Sequence, residues 1–301
     1  MGYSPRYHAA SLAAVFLALA VGILIGSQIG GDILDDTRKD LEASLTSDLD
    51  DSRARVSELE RELIRANEFG ESVYPSLTAL QLRGQRIGLI SFGSLPSGIT
   101  DAVEQALEPT SAELVAVGAV RQPPETTELA ESLPGTPFAR MDRRPALLTP
   151  YGRTVGRQLI TGGSVLRQSR DALMSESSGR FGSLEGLVIY RGDPEDLTAE
   201  ELELSERLEE AIVEGAESTR ASVVGVEQVS TDPSSVGWYS QRGLSSVDDI
   251  DLPAGRVSLV YVLAGAQGSF GVKEASDRLL PDLLTPVPGP AGGTTGAEGQ
   301  G

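Results

Sequence analysis

The sequence predicts an α/β protein with a single N-terminal transmembrane helix, a coiled-coil stalk, and a mostly parallel sheet domain with helices on both faces. Three observations support this fold class. An uncharged run near the N-terminus is long enough to cross a bilayer. A glycine-free segment with heptad spacing follows it. Apolar segments of strand length then alternate with amphipathic segments of helix length.

The uncharged run covers residues 9–29 and follows a short tail, residues 1–8. At a rise of about 1.5 Å per residue, its length matches a hydrocarbon core of roughly 30 Å. A cleavable signal peptide is the alternative, because Ala18-Leu19-Ala20 resembles a cleavage site. Hydrophobicity continues through Ile25, beyond the usual end of a signal peptide's apolar region, which favours an uncleaved anchor.

Charge around the anchor predicts its orientation. Arg6 and the terminal amine precede the anchor, whereas residues 22–37 carry no positive charge. The positive-inside rule therefore places residues 1–8 in the cytoplasm. The chain is predicted to be a single-pass protein of the cytoplasmic membrane, with its C-terminal domain outside the cytoplasm.

Composition restricts the partners of the remaining chain. The formal net charge is −19, and lysine occurs only at Lys39 and Lys273. This charge argues against nucleic acid, and against an anionic lipid surface, as the main partner. The sequence has no cysteine, so the hydrophobic core must stabilise the domain without disulfides.

Residues 30–70 are predicted to form the coiled-coil stalk, because residues 32–67 lack Gly and Pro and follow a 4-3 apolar spacing. The seam with this spacing consists of Leu45, Leu49, Ser52, Val56, Leu59, Leu63 and Ala66. Leu34, Arg38 and Leu41 continue it upstream, with a stutter at Leu45. We predict a homo-oligomer through residues 34–66. A solitary amphipathic helix packed on the following domain is the alternative.

Residues 84–282 are predicted to form the extracytoplasmic α/β domain, after a break at residues 70–84 around Pro75. The predicted strands are residues 86–92, 113–120, 186–191, 222–229 and 256–264, of which the last has the strongest pattern. The predicted helices are residues 99–107, 125–133, 151–174 with an interruption at Gly162-Gly163, 198–218 with a capping box at Thr198, and 272–280. Residues 283–301 are predicted to be a disordered tail.

The residue types present argue against catalysis, so we predict that the chain is not an enzyme. The only histidine, His8, precedes the anchor. The soluble domain therefore lacks the base of a Ser-His-Asp or Cys-His site, and it lacks His- or Cys-based zinc ligands. Lys273 could act as a base for a serine, but we interpret it as a solvated cap at a helix start. We assign no catalytic and no metal-binding residue, and cofactor-binding residues stay unknown.

Two glycine-rich loops have a possible ligand-binding role. Residues 91–98 lack the Gly-Lys-Ser/Thr of a phosphate-binding loop, and residues 265–271 lack an acidic ribose partner about 20 residues on. Tight strand-to-helix turns are the simpler interpretation of both loops. A ligand at the carboxyl edge of the sheet is the alternative.

Two side-chain groups in the second half of the chain also have alternative roles. Asp248, Asp249 and Asp251 are interpreted as a solvated loop before a strand, because they lack the spacing of a Ca²⁺ site. Trp238 and Tyr239 are interpreted as an anchor in the core or at a domain edge, with a binding hot spot as the alternative.

The segment RYHAASLAAVFLALAVGILIGS, residues 6–27, resembles the opening of the actinobacterial copper transporter family, the mycobacterial copper transport protein B-like proteins. The resemblance continues through the heptads, QRIGLI at 85–90, SSVDDID at 245–251 and QGSFGVK at 267–273. It covers essentially residues 3–282. The resemblance implies copper homeostasis through transport or efflux across the cell envelope, and it implies the outer membrane as an alternative location.

The copper ligands available to this chain are few. Copper(I) prefers thiolate and thioether ligands, and copper(II) prefers imidazole. Beyond the anchor the sequence offers only Met141 and Met174, so copper is implied as a transported ion and not as a cofactor. One membrane helix does not form a pore by itself, which limits transport to an oligomer or a partner.

Two functional hypotheses follow. The first is a copper transport or homeostasis component of the envelope. The alternative is a non-catalytic scaffold, crossing the membrane once, that oligomerises through its coiled coil. In that hypothesis the α/β domain recruits a protein partner from the envelope or the cell-division machinery.

Overall fold

A computed structural model describes residues 5–79, 81–192 and 197–283, with the backbone alone at residues 5–8, 27–38 and 40. The chain divides after Ala66 into two compact units. Helix α1 (Pro5–Thr78) contains the whole described part of the first unit and the beginning of the second. The second unit contains the α/β domain.

The sheet of the second unit has seven strands in the part of the chain that the structure describes: β1 (Arg86–Phe92), β2 (Glu113–Val120), β3 (Met174–Gly179), β4 (Gly186–Arg191), β5 (Ser222–Val226), β6 (Ser245–Val247) and β7 (Ser269–Phe270). The helices around it are α2 (Ser97–Leu107), α3 (Thr126–Glu131), α4 (Leu148–Thr161), α5 (Ser164–Leu173), α6 (Ala199–Glu217), α7 (Val236–Gln241) and α8 (Pro253–Leu263).

The strand order is β3-β2-β1-β4-β5-β6-β7, and β2–β3 is the antiparallel pair in an otherwise parallel sheet. Strand β1 lies between β2 and β4, so the order reverses direction at β1 and β4. Open parallel sheets bind ligands at the carboxyl ends of the strands where such a reversal occurs. The predicted mostly parallel sheet is confirmed.

Helices cover both faces of the sheet, as predicted. Leu89 in β1 and Val188 in β4 face α2 and α8, whereas the next residues, Ile90 and Ile189, face the side of α4 and α6. Neighbouring residues of a strand point to opposite faces, so a strand buried on both sides must be apolar at nearly every position. This requirement explains why the apolar runs in β1 and β4 are nearly continuous.

Helices α4 and α6 pack through glycines at very close range. A Cβ atom on Gly156 would lie 1.9 Å from the carbonyl oxygen of Ile212, and one on Gly215 would lie 2.1 Å from that of Arg153. The two backbones therefore approach each other so closely that any side chain at these positions would collide. This close packing covers one face of the sheet.

Most element predictions are confirmed. Strands 86–92, 113–120 and 186–191 occur with the predicted bounds, and helix 99–107 lies within α2. Gly162-Gly163 separates α4 from α5, and the Thr198 side chain and Glu201 form the predicted capping box of α6. Strand β5 ends at Val226, before residue 229. The predicted tail lies outside the described residues, apart from residue 283.

The prediction of a strand at residues 256–264 is wrong, because Pro253–Leu263 is helix α8. This segment is buried on nearly every side, so its apolar residues show neither the helical nor the strand period. Pro253 at the first helical position suits a helix start, where its missing N–H costs nothing. The sheet edge is formed instead by the short strands β6 and β7, which the sequence analysis did not identify.

The predicted helix at residues 272–280 is also wrong. Gly271 adopts φ +140°, and the Asp248 carboxylate accepts hydrogen bonds from the backbone N–H groups of Val272 at 2.8 Å and Lys273 at 3.1 Å. These contacts hold the segment in an irregular loop. Arg278 then forms a single parallel bridge with Phe270.

The predicted break at residues 70–84 begins too early, because α1 continues through Pro75 to Thr78. Proline removes one backbone hydrogen bond from a helix interior. Packing outweighs this loss here, because Tyr74 and Leu77 lie in an apolar cluster with Val257 and Tyr261 of α8. Packing against α8 therefore outweighs the tendency of Pro75 to end the helix.

Candidate functional site

The N-terminal part of α1 has the length and composition of a membrane-spanning helix. Its window Ala9–Gly26 has 18 residues and a mean hydropathy of 2.5. None of this window is buried within the described structure. Large apolar side chains such as Phe16, Leu17 and Leu24 are exposed. The window lies within the predicted anchor, and the side chains of residues 27–29 are outside the description.

The seam forms a stripe of exposed apolar side chains on the next part of α1. Its large members, Leu45, Leu49, Val56, Leu59 and Leu63, are 51–64% exposed. Large apolar side chains exposed in a contiguous row are typical of interaction sites. The structure does not describe the side chains of Leu34 and Arg38, the predicted upstream members of the seam.

The terminal segment of α1, residues 67–78, packs against the α/β domain. Buried Arg256 of α8 donates a hydrogen bond to Gln105 Oε1 at 2.7 Å and forms an ion pair with Glu71. Its guanidinium lies 5.6 Å from the centre of the Tyr74 ring. The Tyr261 hydroxyl donates to the carbonyl oxygen of Leu77 at 3.2 Å. The sequence analysis did not identify Arg256 because its partners lie 151 and 185 residues away in the chain.

The carboxyl ends of β5 and β6 carry a buried ionic cluster. Glu227, which follows β5, is fully buried and accepts hydrogen bonds from Ser234 Oγ and the Ser235 N–H, both at 2.6 Å. Lys273 Nζ lies 2.6 Å from Glu227 Oε1 and donates to the carbonyl oxygen of Thr231 at 2.6 Å. The interpretation of Lys273 as a solvated helix cap is therefore wrong. Its ammonium group forms a salt bridge with Glu227 and a hydrogen bond with a backbone carbonyl oxygen.

Asp248 and Asp249 follow β6 and are fully buried, so their interpretation as a solvated loop is wrong. They also precede a helix and not a strand. Asp248 organises the 271–276 loop through backbone N–H groups and the Ser276 hydroxyl. Asp251 accepts a hydrogen bond from the Val229 N–H at 3.0 Å.

Asp249 differs from its neighbours because both of its carboxyl oxygens are buried without a hydrogen-bond partner among the described residues. A Cβ atom on Gly255 would lie 2.5 Å from Asp249 Oδ1, so the first turn of α8 packs directly on this carboxyl group. Burial, followed by the charges of Asp248 and Asp251, raises the pKa of Asp249 to about 7. Asp249 is a buried acid that burial holds largely in its neutral form below that pH.

A second polar cluster lies where the strand order reverses, at the carboxyl end of β4. The Arg191 guanidinium is 2.8 Å from buried Glu209 of α6, which also accepts a hydrogen bond from Gln122. Burial raises the pKa of Glu209, and the charge of Arg191 opposes that shift. Arg242 lies 4.0 Å from the centre of the Trp238 ring, and Arg191 lies 5.1 Å from it.

The aromatic pair of the sequence analysis belongs to this region. Tyr239 is fully buried, and its hydroxyl accepts a hydrogen bond from the Arg191 N–H at 3.0 Å. Trp238 is half-buried and packs edge-on against Phe92 at the end of β1, with ring centres 6.2 Å apart. These contacts confirm the interpretation of both residues as core and edge anchors.

The two glycine-rich loops have different positions. Residues 91–98 join β1 to α2, as the strand-to-helix interpretation predicts. Residues 265–271 follow α8 and contain β7, so the same interpretation is wrong for this loop. The Gly268–Ser269 backbone binds Ser245 Oγ and Asp277 Oδ2 at 3.1 and 3.0 Å, so these contacts serve the fold.

The described residues do not bring soft copper ligands together. Met141 and Met174 are both buried in the hydrophobic core. Among the described residues there is no group of three or more His, Cys, Asp or Glu side chains that could hold a metal ion. The His8 side chain lies outside the description.

A comparison with protein families gives a match that agrees with the resemblance seen in the sequence. A family model described as copper transport outer membrane protein, MctB, matches residues 3–137 and 198–281. The two matched segments include all of α1 and the cluster around β5 and β6, and they cover most of the chain. Residues 138–197, which contain the central strand β4, lie between them. No curated protein matches the chain significantly.

Proposed function

This chain belongs to the MctB copper transport family, and we propose that it acts in copper homeostasis as a membrane-anchored component of transport or efflux across the cell envelope. The match to α1 and to most of the domain supports this proposal, because it covers both the apolar helix and the folded part. In this proposal copper is the transported ion and not a resident cofactor.

The ligand chemistry supports a role without direct copper binding by the α/β domain. The sequence has no cysteine, and the two methionines beyond the anchor are buried in the core. Either residue would have to leave the core to reach a copper ion. We therefore propose that copper passes through an oligomer of this chain or through a partner protein, since one helix cannot enclose a pore.

We further propose a single-pass arrangement in the cytoplasmic membrane, with the α/β domain outside the cytoplasm. The charge asymmetry around the Ala9–Gly26 window supports this orientation. The family description names the outer membrane, which is the alternative location. Fractionation of inner and outer membranes, with protease added to intact spheroplasts, separates the two arrangements.

A non-catalytic scaffold is the second candidate function, and the exposed seam on α1 favours it. In this proposal the seam joins copies of the chain, and the α/β domain recruits an envelope or cell-division protein. The internally paired ionic clusters of the domain support a structural role for those side chains.

Deletion of the gene tests the first candidate. We expect the deletion strain to accumulate more copper than the parent under copper stress, and the full chain to restore the parent level. Mass spectrometric measurement of cellular copper checks this expectation, with zinc measured in the same cells as the control. Unchanged copper would contradict the copper role. A change in cell shape or division with unchanged copper would favour the scaffold.

A further inference from the structure

The exposed seam has the heptad positions of a two-stranded coiled coil. Its 4-3 spacing places Leu49, Val56 and Leu63 at a positions. The d positions are Leu45, Ser52, Leu59 and Ala66. A β-branched residue at a, combined with leucine at d, favours two strands, and Val56 followed by Leu59 is this combination.

The charges beside the seam fit a second copy of the same helix. In a parallel coiled coil, the g residue of one heptad faces the e residue of the next heptad on the partner helix. Asp48 at g then faces the second copy's Arg53, and Arg55 at g faces the second copy's Glu60. Both combinations are attractive, and two-fold symmetry forms each of them twice.

The same charges oppose a shifted pairing. A slip of one heptad would place Asp48 against Glu60, Arg55 against Arg53 and Glu62 against Glu60. All three pairs carry like charges, which disfavour the slipped arrangement. Arg53 contacts Asp50 in its own helix at 3.5 Å, but both side chains are about two-thirds exposed and free to exchange partners.

We infer that residues 45–66 bind the same residues of a second copy as a parallel, in-register, two-stranded coiled coil. The parallel direction rests on the proposed membrane anchoring, because two Ala9–Gly26 helices in one bilayer start both seams from the same side. The charge pairs set the register. The leucines that are exposed in the single chain would supply the apolar surface buried between the two copies.

Disulfide cross-linking of the full chain in native membranes tests the inference. The sequence has no cysteine, so a single introduced thiol reports on one position. Ser52→Cys lies at d, where identical residues face each other within disulfide range. Ala54→Cys lies at f on the outer face and is the matched control. We expect a covalent dimer from Ser52→Cys under mild oxidation and monomer from Ala54→Cys.

Charge reversal tests the register. Arg53→Glu alone and Asp48→Arg alone each replace two attractive pairs by two repulsive pairs, and we expect each to weaken dimerisation about tenfold. The double variant Asp48→Arg/Arg53→Glu reverses both signs and should restore dimerisation. Sedimentation of the full chain in detergent measures both effects and also gives the number of copies.

The outcomes separate this inference from the proposed function. A chain that is in the membrane but gives equal cross-linking at positions 52 and 54, or none at either, would overturn the coiled coil. A mass of three or more copies would overturn the two-stranded arrangement. Absence of the chain from the membrane would contradict the anchoring, and cross-linking of the soluble chain would still decide the pairing.

Discussion

Helix α1 contains two packing surfaces with the same spacing and opposite environments. The 4-3 spacing of the seam continues at Gly70 and Leu77. Gly70 lies against Pro253, where a Cβ atom would be 2.8 Å from the proline side chain, and Leu77 packs in the cluster with Tyr261. The terminal segment is therefore covered by α8 of its own chain. The leucines of the seam are more than half exposed.

This difference shows how one apolar pattern can serve two kinds of contact. In the terminal segment, Arg256 and Tyr261 add polar contacts to the apolar ones and fix the helix on the domain. Beside the seam, Asp48, Arg53, Arg55 and Glu60 carry charges of both signs. In the proposed dimer a second copy completes this surface, so changes in one region should leave the other unchanged.

The largest effect is expected at Gly156 in the α/β domain. Gly156→Val places a side chain against the Ile212 carbonyl oxygen, so α4 and α6 must separate. We expect a loss of about 3 kcal/mol or more in the free energy of unfolding. A denaturant titration that follows unfolding of the α/β domain measures this loss. Gly237→Ala is the control, because a Cβ atom there meets no atom within 4 Å. Equal stability of the two variants would contradict the close packing.

The next effect concerns pH and the start of α8. The pKa of Asp249 is raised from 3.8 to about 7, so its neutral form stabilises the fold at low pH. This contribution is fully present below about pH 4 and is lost as the pH rises through about 7. We expect Asp249→Asn to remove about 2–3 kcal/mol of the pH dependence of unfolding between these values. If the free energy of unfolding depends on pH in the same way in the wild type and the variant, Asp249 does not have this role.

Seam dimerisation is expected to depend on Leu59 but not on Ile64. Both side chains are more than half exposed, but Leu59 occupies a d position and Ile64 lies at b, outside the seam. We expect Leu59→Ala to weaken self-association about 30-fold, because each dimer buries two copies of this leucine. Ile64→Ala should leave it unchanged. Sedimentation equilibrium measures both, and equal weakening would show that the seam is assigned to the wrong face.

The smallest effect is expected at Tyr261. Tyr261→Phe keeps the ring in its apolar cluster but removes the hydrogen bond to the Leu77 carbonyl oxygen. We expect a loss of about 1 kcal/mol in the free energy of unfolding, with unchanged self-association. Thermal unfolding and sedimentation test the two parts. Weakened self-association would show that the terminal segment and the seam are not independent.

The sequence predicts an element well when the element's own residues determine it. Strands β1 and β4 are apolar at nearly every position because both faces are covered, and the seam keeps a clear heptad period. Helix α8 is also apolar on nearly every side, so periodicity could not separate it from a strand. The one local clue was Pro253 at its first position. Pro75 led to a different error. It indicated a break in the helix, but contacts with α8 keep α1 helical through the proline to Thr78.

The buried clusters were less predictable because their partners are distant in the chain. Asp248 and Asp249 have the composition of a solvated loop, but Asp248 is covered by the 271–276 loop and Asp249 by the first turn of α8. Lys273 and Glu227 lie 46 residues apart, with no local pattern that links them. The membrane window and the exposed seam depend on local composition and spacing, so they could be predicted.

Copper measurement in cells with a disrupted seam tests the account most directly. The triple variant Leu49→Ala/Leu59→Ala/Leu63→Ala removes three leucines of the seam and leaves the α/β domain unchanged. We predict that it reaches the membrane but leaves copper in the deletion strain elevated, while Ile64→Ala restores the parent level. Full restoration of copper by the triple variant, with its self-association lost, would contradict the claim that paired chains serve copper homeostasis.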